Sequence, residues 1–262
     1  MKQLWKFVFV LPVFAFFLGC SEKGQWELVW SEEFEYSGSP DPETWAYETG
    51  YIRNNEMQYY TDELKNVRVE DGLCIITARL ETEDSLTSAS IHTWGQKEFL
   101  FGRIEVRAQI PSARGSWPAI WMLGTNRSEL GWPACGEIDI MEHVGYDPDL
   151  IHANVHTKAY NHAIGTNKGN QIEVPDPWLD FHVYAVEWFE DHMDFFLDDS
   201  LYFSFENDGT GNFETWPFDK PHYLLLNLAY GGSWGGNQGV DTSRLPLEYK
   251  IDYVRYYKTP EK

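Results

Sequence analysis

The chain has 262 residues, a length that suits one all-β sandwich as readily as two smaller domains, and a formal net charge of -21. That charge repels phosphate and sulfate, which excludes nucleic acid and heavily sulfated polysaccharides as partners and leaves neutral ligands, although much of it also serves simply to keep an exported protein soluble. Trp, Tyr and Phe make up 16% of the residues, more than a core of this size needs, so some rings are expected on a surface that takes a flat, polar ligand such as a sugar.

The first residues have the pattern of an export signal. Lys2 and Lys6 give a positive start, and Phe7 to Leu18, interrupted by Pro12, is apolar but too short to span a membrane. Phe17-Leu18-Gly19-Cys20-Ser21 resembles a bacterial lipobox, with Phe17 standing where Leu is usual. The expected organisation is a signal peptide over 1–19, a lipidated Cys20, a tether over 20–25 and one domain over 26–258, held at a membrane of the cell envelope through the lipid. The outer membrane, the cell surface and a periplasm-facing position all fit. An ordinary cleaved signal peptide is the alternative.

Strand signals follow to the end of the chain, with no convincing helical periodicity. Asn66 to Glu70 alternates in polarity, and Leu73-Cys74-Ile75-Ile76 is an apolar run expected of a buried strand. Buried there, Cys74 is expected to stay a small hydrophobic residue rather than to pair with Cys135. No metal-site cysteine spacing occurs. Arg103 to Ile110 alternates with Ile104, Val106, Ala108 and Ile110 on one face. Val183 to Trp188 and Tyr223 to Ala229 are nearly continuous apolar runs, as in strands covered on both sides. Gly- and Pro-rich turns at 37–42, 111–115, 175–177, 208–211 and 231–239 separate these segments. Many short strands with such turns predict an all-β fold, a β-sandwich or jelly roll of two antiparallel sheets with a concave cleft.

One segment breaks the apolar pattern: Gly136-Glu137-Ile138-Asp139-Ile140-Met141-Glu142-His143. Carboxylates in a strand cost several kcal/mol each when buried unless they are paired or used. Glu137 and Asp139 share a face by alternation. Glu142 falls on the other face unless one extra residue bulges out near Ile140 and Met141, which would bring all three acids to one cleft. Two carboxyl groups about 5–5.5 Å apart are the machinery of retaining glycoside hydrolysis, one attacking the anomeric carbon and the other protonating the leaving oxygen. Spacing alone leaves a solvated acidic edge or a calcium site equally open.

Glu137-Ile-Asp139-Ile-Met-Glu142 resembles the active-site signature of glycoside hydrolase family 16, in the bulged form of its laminarinases. Residues 54–60, 117–123, 131–136, 182–188 and 251–257 resemble further blocks of that branch in the same order, from about Trp26 to Tyr257. The resemblance implies a β-jelly roll and an endo-acting hydrolase of β-1,3-glucan, with mixed-linkage β-1,3-1,4-glucan as second substrate. It makes Glu137 the nucleophile, Glu142 the acid/base and Asp139 the assisting acid. It places Asn55, Glu56, Trp117, Trp121, Trp132, His156 and Trp234 in the substrate cleft. It also implies a structural calcium on Glu33, the Gly72 carbonyl and Asp252, no cofactor for the chemistry, and a monomer. Agarases, carrageenases, transglycosylases and non-catalytic glucan-binding proteins share the fold, so the fold alone does not choose among them.

Overall fold

The computed structural model describes residues 26–83 and 85–260; the expected export signal, lipidated Cys20 and tether lie outside these. The strands run in chain order as β1 (Glu27–Glu32), β2 (Ala46–Tyr47), β3 (Gln58–Tyr60), β4 (Val67–Glu70), β5 (Leu73–Thr82) and β6 (Ser85–Ser88). Next come β7 (Ser90–His92), β8 (Gly102–Gln109), β9 (Ser116–Gly124), β10 (Glu137–Glu142), β11 (Leu150–His156) and β12 (Lys168–Glu173). The last are β13 (His182–Trp188), β14 (His192–Leu197), β15 (Ser200–Glu206), β16 (His222–Tyr230) and β17 (Leu247–Lys258). Among the described residues the one α-helical segment, α1, covers only Arg127–Leu130.

Two sheets stack face to face. A ten-stranded sheet follows the order β15-β14-β13-β8-β17-β5-β6-β3, with β1 on β17 and β4 on β5, and a seven-stranded sheet follows β12-β11-β10-β9-β16-β7-β2. All pairings are antiparallel except β3 with β6. The non-consecutive neighbours, such as β9 beside β16 and β8 beside β17, are the crossings expected of a jelly roll rather than of a simple meander.

Alternation decides which side of each strand enters the core. Ile104, Val106 and Ala108 of the larger sheet meet Ile120, Met122, Ile138, Leu224, Leu226 and Leu228 of the smaller one in a single apolar layer. Cys74 lies in the same layer; it and Cys135 are buried free thiols. Burial pushes the Cys135 thiol up to about 11, so it stays protonated at neutral pH. On β9 and β16 the alternate positions, Trp117, Ala119, Trp121 and Leu123 with Tyr223, Leu225, Asn227 and Ala229, face the other way, and all of these but the covered Tyr223 and Leu225 line a cleft. Both strands are therefore buried at every position, one side packing the core and the other lying beneath the cleft residues.

Candidate active site

The cleft holds about 790 Å³ and is lined by Glu137, Asp139 and Glu142 among indole and imidazole rings. Strand β10 is entered through Gly136 at a φ of 82°, where a Cβ would stand 2.9 Å from Pro217 and 3.0 Å from Phe218. A side chain there would crowd those two rings in a backbone conformation that favours glycine. Against β9, Asp139 faces Trp121 and Met141 faces Ile120, so one residue is extra at that point. Against β11, the register likewise jumps between Asp139, opposite Asn154, and Glu142, opposite His152. The bulge turns both Ile140 and Met141 into the core at 0% exposure and returns Glu142 to the face of Glu137 and Asp139.

Each outer carboxylate has its own donors. Trp132 donates its indole N–H to Glu137 Oε2 at 2.9 Å, while Trp117 donates to Glu142 Oε1 at 3.0 Å and Asn154 to Glu142 Oε2 at 3.1 Å. His156 Nε2 stands 3.3 Å from Asp139 Oδ2 and 3.6 Å from Glu137 Oε1. Asp139, 3% exposed, accepts no protein hydrogen bond at Oδ2. Burial raises all three acids, Glu137 to about 8, with like charge from Asp139 and Glu142 adding to the effect on Glu137. Asp139 is driven well above the carboxylate range by burial and by the charge of Glu142. A neutral Asp139 suits an oxygen without a donor, and its proton removes the like charge that most strongly opposes ionisation of Glu137 beyond burial itself. Three buried acids thereby hold fewer than three charges.

Of the residues expected in the cleft, Glu56, Trp117, Trp121, Trp132, His156 and Trp234 line it. Trp121 donates to Asn227 Oδ1 at 2.7 Å, and the Arg53 guanidinium lies 4.9 Å from its ring centre. Trp234 packs edge-on against Trp117 with centroids 5.5 Å apart. Glu56 is 9% exposed and accepts from Asn54 at 3.2 Å, Gln58 at 2.6 Å and Tyr60 at 3.2 Å. Asn55 is not among the residues that line the pocket. The chain turns through left-handed conformations at Asn54 (φ 55°) and Asn55 (φ 52°), leaving Asn55 exposed and putting Asn54 in the lining instead.

Arg53, His152, Asn154, His162 and Asn167 also line the cleft and were not anticipated. His152 and Asn154 are findable from the register, since they lie opposite Glu142 and Asp139 on β11. His162 comes from a short 3-10 turn and meets Trp132 at 4.9 Å between ring centres, a contact that no local pattern signals.

The chain matches the model of glycosyl hydrolases family 16 over residues 53–255. It belongs to that family. It is 48% identical to a beta-glucanase of Rhodothermus marinus across 99% of this chain and 96% of the relative. The fold superposes on the crystal structure of the laminarinase from Rhodothermus marinus with a TM-score of 0.87, at 48% identity, covering 90% of this chain and 99% of that one. A non-specific endo-beta-1,3(4)-glucanase of the same family aligns with a TM-score of 0.84 at 44% identity, covering 90% and 92%.

The residues expected to hold calcium lie where the two chain ends meet, with Glu32 opposite Val254 and Ile251 opposite Cys74. Both oxygens of Glu33 accept from Arg255 at 2.9 Å, which holds that carboxyl below its usual range. Asp252 Oδ2 accepts from Arg107 at 2.5 Å. Two arginines therefore already neutralise both acids, and as arranged this donor set, with the Gly72 carbonyl, does not fit a cation.

Proposed function

We propose that this protein is a retaining endo-glycosidase that cleaves β-1,3-glucan and takes mixed-linkage β-1,3-1,4-glucan as a second substrate. The observation that carries it is the bulge in β10, which brings Glu137 and Glu142 to one face of an open cleft and gives each its own donors. Similar proteins named beta-glucanase, laminarinase and endo-beta-1,3(4)-glucanase support the substrate.

In the first step Glu137 Oε forms a bond to the anomeric carbon as the glycosidic C–O bond breaks, and Glu142 gives its proton to the departing oxygen. Burial raises Glu142 and keeps that proton available. His156 and Trp132 favour the charged form of Glu137 that must attack, against the burial that raises this carboxyl to about 8 in the free protein, so the attacking form gains population as pH rises toward that value. In the second step Glu142, now a carboxylate, takes a proton from water. The water oxygen bonds to the anomeric carbon and releases Glu137, so two inversions return the β configuration. Asp139 holds a proton beside Glu137 and completes no bond to sugar.

Export as a lipoprotein anchored through Cys20 to a cell-envelope membrane is part of the same proposal, supported by the charged, apolar and lipobox-like segments of the first twenty-one residues. Neither step depends on calcium. Reducing-sugar release from laminarin, barley β-glucan, curdlan, agarose and carrageenan, measured side by side, tests the assignment. A ladder of short products from laminarin is expected. Activity on agarose or carrageenan alone would replace the substrate and keep the carboxylates.

A further inference from the structure

The sheet face that floors the catalytic pocket continues beyond it, covered at Tyr223 and Leu225 and exposed again at Trp94. Across the seven-stranded sheet, Glu137 faces Leu123 on β9, and Leu123 faces Tyr223 on β16. Two residue pairs along, Trp121 faces Leu225, and Leu225 faces His92 on β7. Tyr223 and Leu225 share their outward parity with Asn227 and Ala229, which line the pocket. The same face therefore runs on, away from β11 and β12, to the end of β7.

Trp94 lies there, two residues beyond His92. Its indole stacks on the Tyr223 ring at a centroid distance of 5.6 Å and an interplanar angle of 20°, yet the residue keeps 44% of its surface in solvent. An aromatic pair of which one ring is buried and the other half-exposed presents a flat, backed platform. The turn that carries Trp94 is fixed. Thr93 donates its N–H to Leu224 O at 3.0 Å and accepts from the Leu224 N–H through Oγ1 at 3.1 Å, while the Trp94 N–H donates to His92 Nδ1 at 3.2 Å. Arg127, a pocket-lining residue, reaches Tyr223 OH at 3.4 Å and connects the platform to the cleft.

We infer that Trp94, backed by Tyr223, is an outlying sugar-binding platform that engages glucan chains long enough to extend past the pocket and so sets a preference for chain length. The inference rests on the glucanase reading. Its position, about three strand spacings of ~4.8 Å from β10, puts it beyond reach of the shortest substrates. The hydrogen-bonded turn and the stack on Tyr223 hold the indole in one orientation, which reduces the ordering cost of taking a sugar.

The test compares kcat/KM of wild type and Trp94→Ala on laminarin and on β-1,3-linked oligosaccharides from the trisaccharide to the heptasaccharide. Wild-type turnover of laminarin checks the glucanase reading by itself. For Trp94→Ala, kcat/KM is expected to fall roughly five- to tenfold on laminarin and the longest oligomers, and to stay within about twofold on the shortest. Trp94→Phe, which keeps a ring, is expected to restore most of the loss. A uniform loss at all lengths, or no loss on laminarin, would overturn the platform while leaving the glucanase assignment in place.

Discussion

The indole N–H of Trp132 points at Glu137 Oε2 from 2.9 Å, an uncharged donor aimed at the carboxylate that must attack sugar. Trp117 stands in the same relation to Glu142 at 3.0 Å. Each bond favours the ionised form of its acid, so removing either N–H raises that acid's pKa. Trp132→Phe is expected to move the acid limb of the kcat/KM profile to higher pH, and Trp117→Phe the alkaline limb, each by up to about one unit. Profiles of the two variants on laminarin check this, and limbs that stay in place would show that the indoles serve packing alone.

Glu137 and Glu142 are separable by their chemistry. Glu137→Gln removes the nucleophile and is expected to abolish turnover of every substrate while leaving oligosaccharide binding measurable. Glu142→Gln removes the proton donor, so hydrolysis of laminarin is expected to collapse while an aryl β-glucoside oligomer with a good leaving group still forms the covalent intermediate and releases aryl alcohol in a burst. Azide, which needs no base, is expected to speed turnover of that intermediate. Equal behaviour of both variants with the activated substrate would contradict the assigned roles.

Burying acids that hold their protons costs stability as pH rises. Glu137 ionises near its ordinary 4.5 when unfolded and near about 8 when folded, so between these values the unfolded chain binds fewer protons and unfolding grows easier with pH. The contribution is fully present below about pH 4.5 and lost as pH passes through about 8. Thermal unfolding of the wild type is expected to shift to lower temperature from pH 5 to 8.5 more steeply than that of Glu137→Gln, which cannot ionise there. Parallel curves would show that Glu137 does not carry the raised value.

The bulge makes a prediction of its own. Deleting Met141 leaves Glu-Ile-Asp-Ile-Glu, a regular alternation that keeps three acids on one face. The deletion removes a fully buried side chain and is expected to cost about 2–5 kcal/mol of stability. Measurable activity on laminarin is nonetheless expected to survive. Inserting Ala after Ile138 puts Glu137 and Asp139 on opposite faces and is expected to end activity. Assays of both variants, with circular dichroism to establish folding, decide the matter.

Most of the architecture was legible because strand periodicity is local. Arg103 to Ile110 alternates in the chain and becomes β8, Gly102–Gln109, with its even-numbered face in the core. The bulge was legible for the same reason, since Glu142 is out of phase with Glu137 and Asp139 by one residue. What escaped was set by register and by partners far along the chain. His152 enters the cleft because β11 pairs with β10 opposite Glu142, and Arg53 because it reaches over Trp121. Asn54 and Asn55 cannot be told apart by composition, and two left-handed residues decide which one faces the cleft. Glu33 and Asp252 matched a calcium pattern, but Arg255, 222 residues away from Glu33, and Arg107, 145 from Asp252, claim their charge in space.

Under the proposed function, Glu137 and Glu142 hydrolyse β-1,3-glucan through two inversions. Proton NMR of laminarin hydrolysis by the purified protein, recorded before mutarotation, tests it most directly. The reducing ends that appear first are predicted to be β anomers that later equilibrate with α. An α anomer appearing first would contradict the covalent mechanism, and no new reducing ends at all would contradict the glucanase assignment.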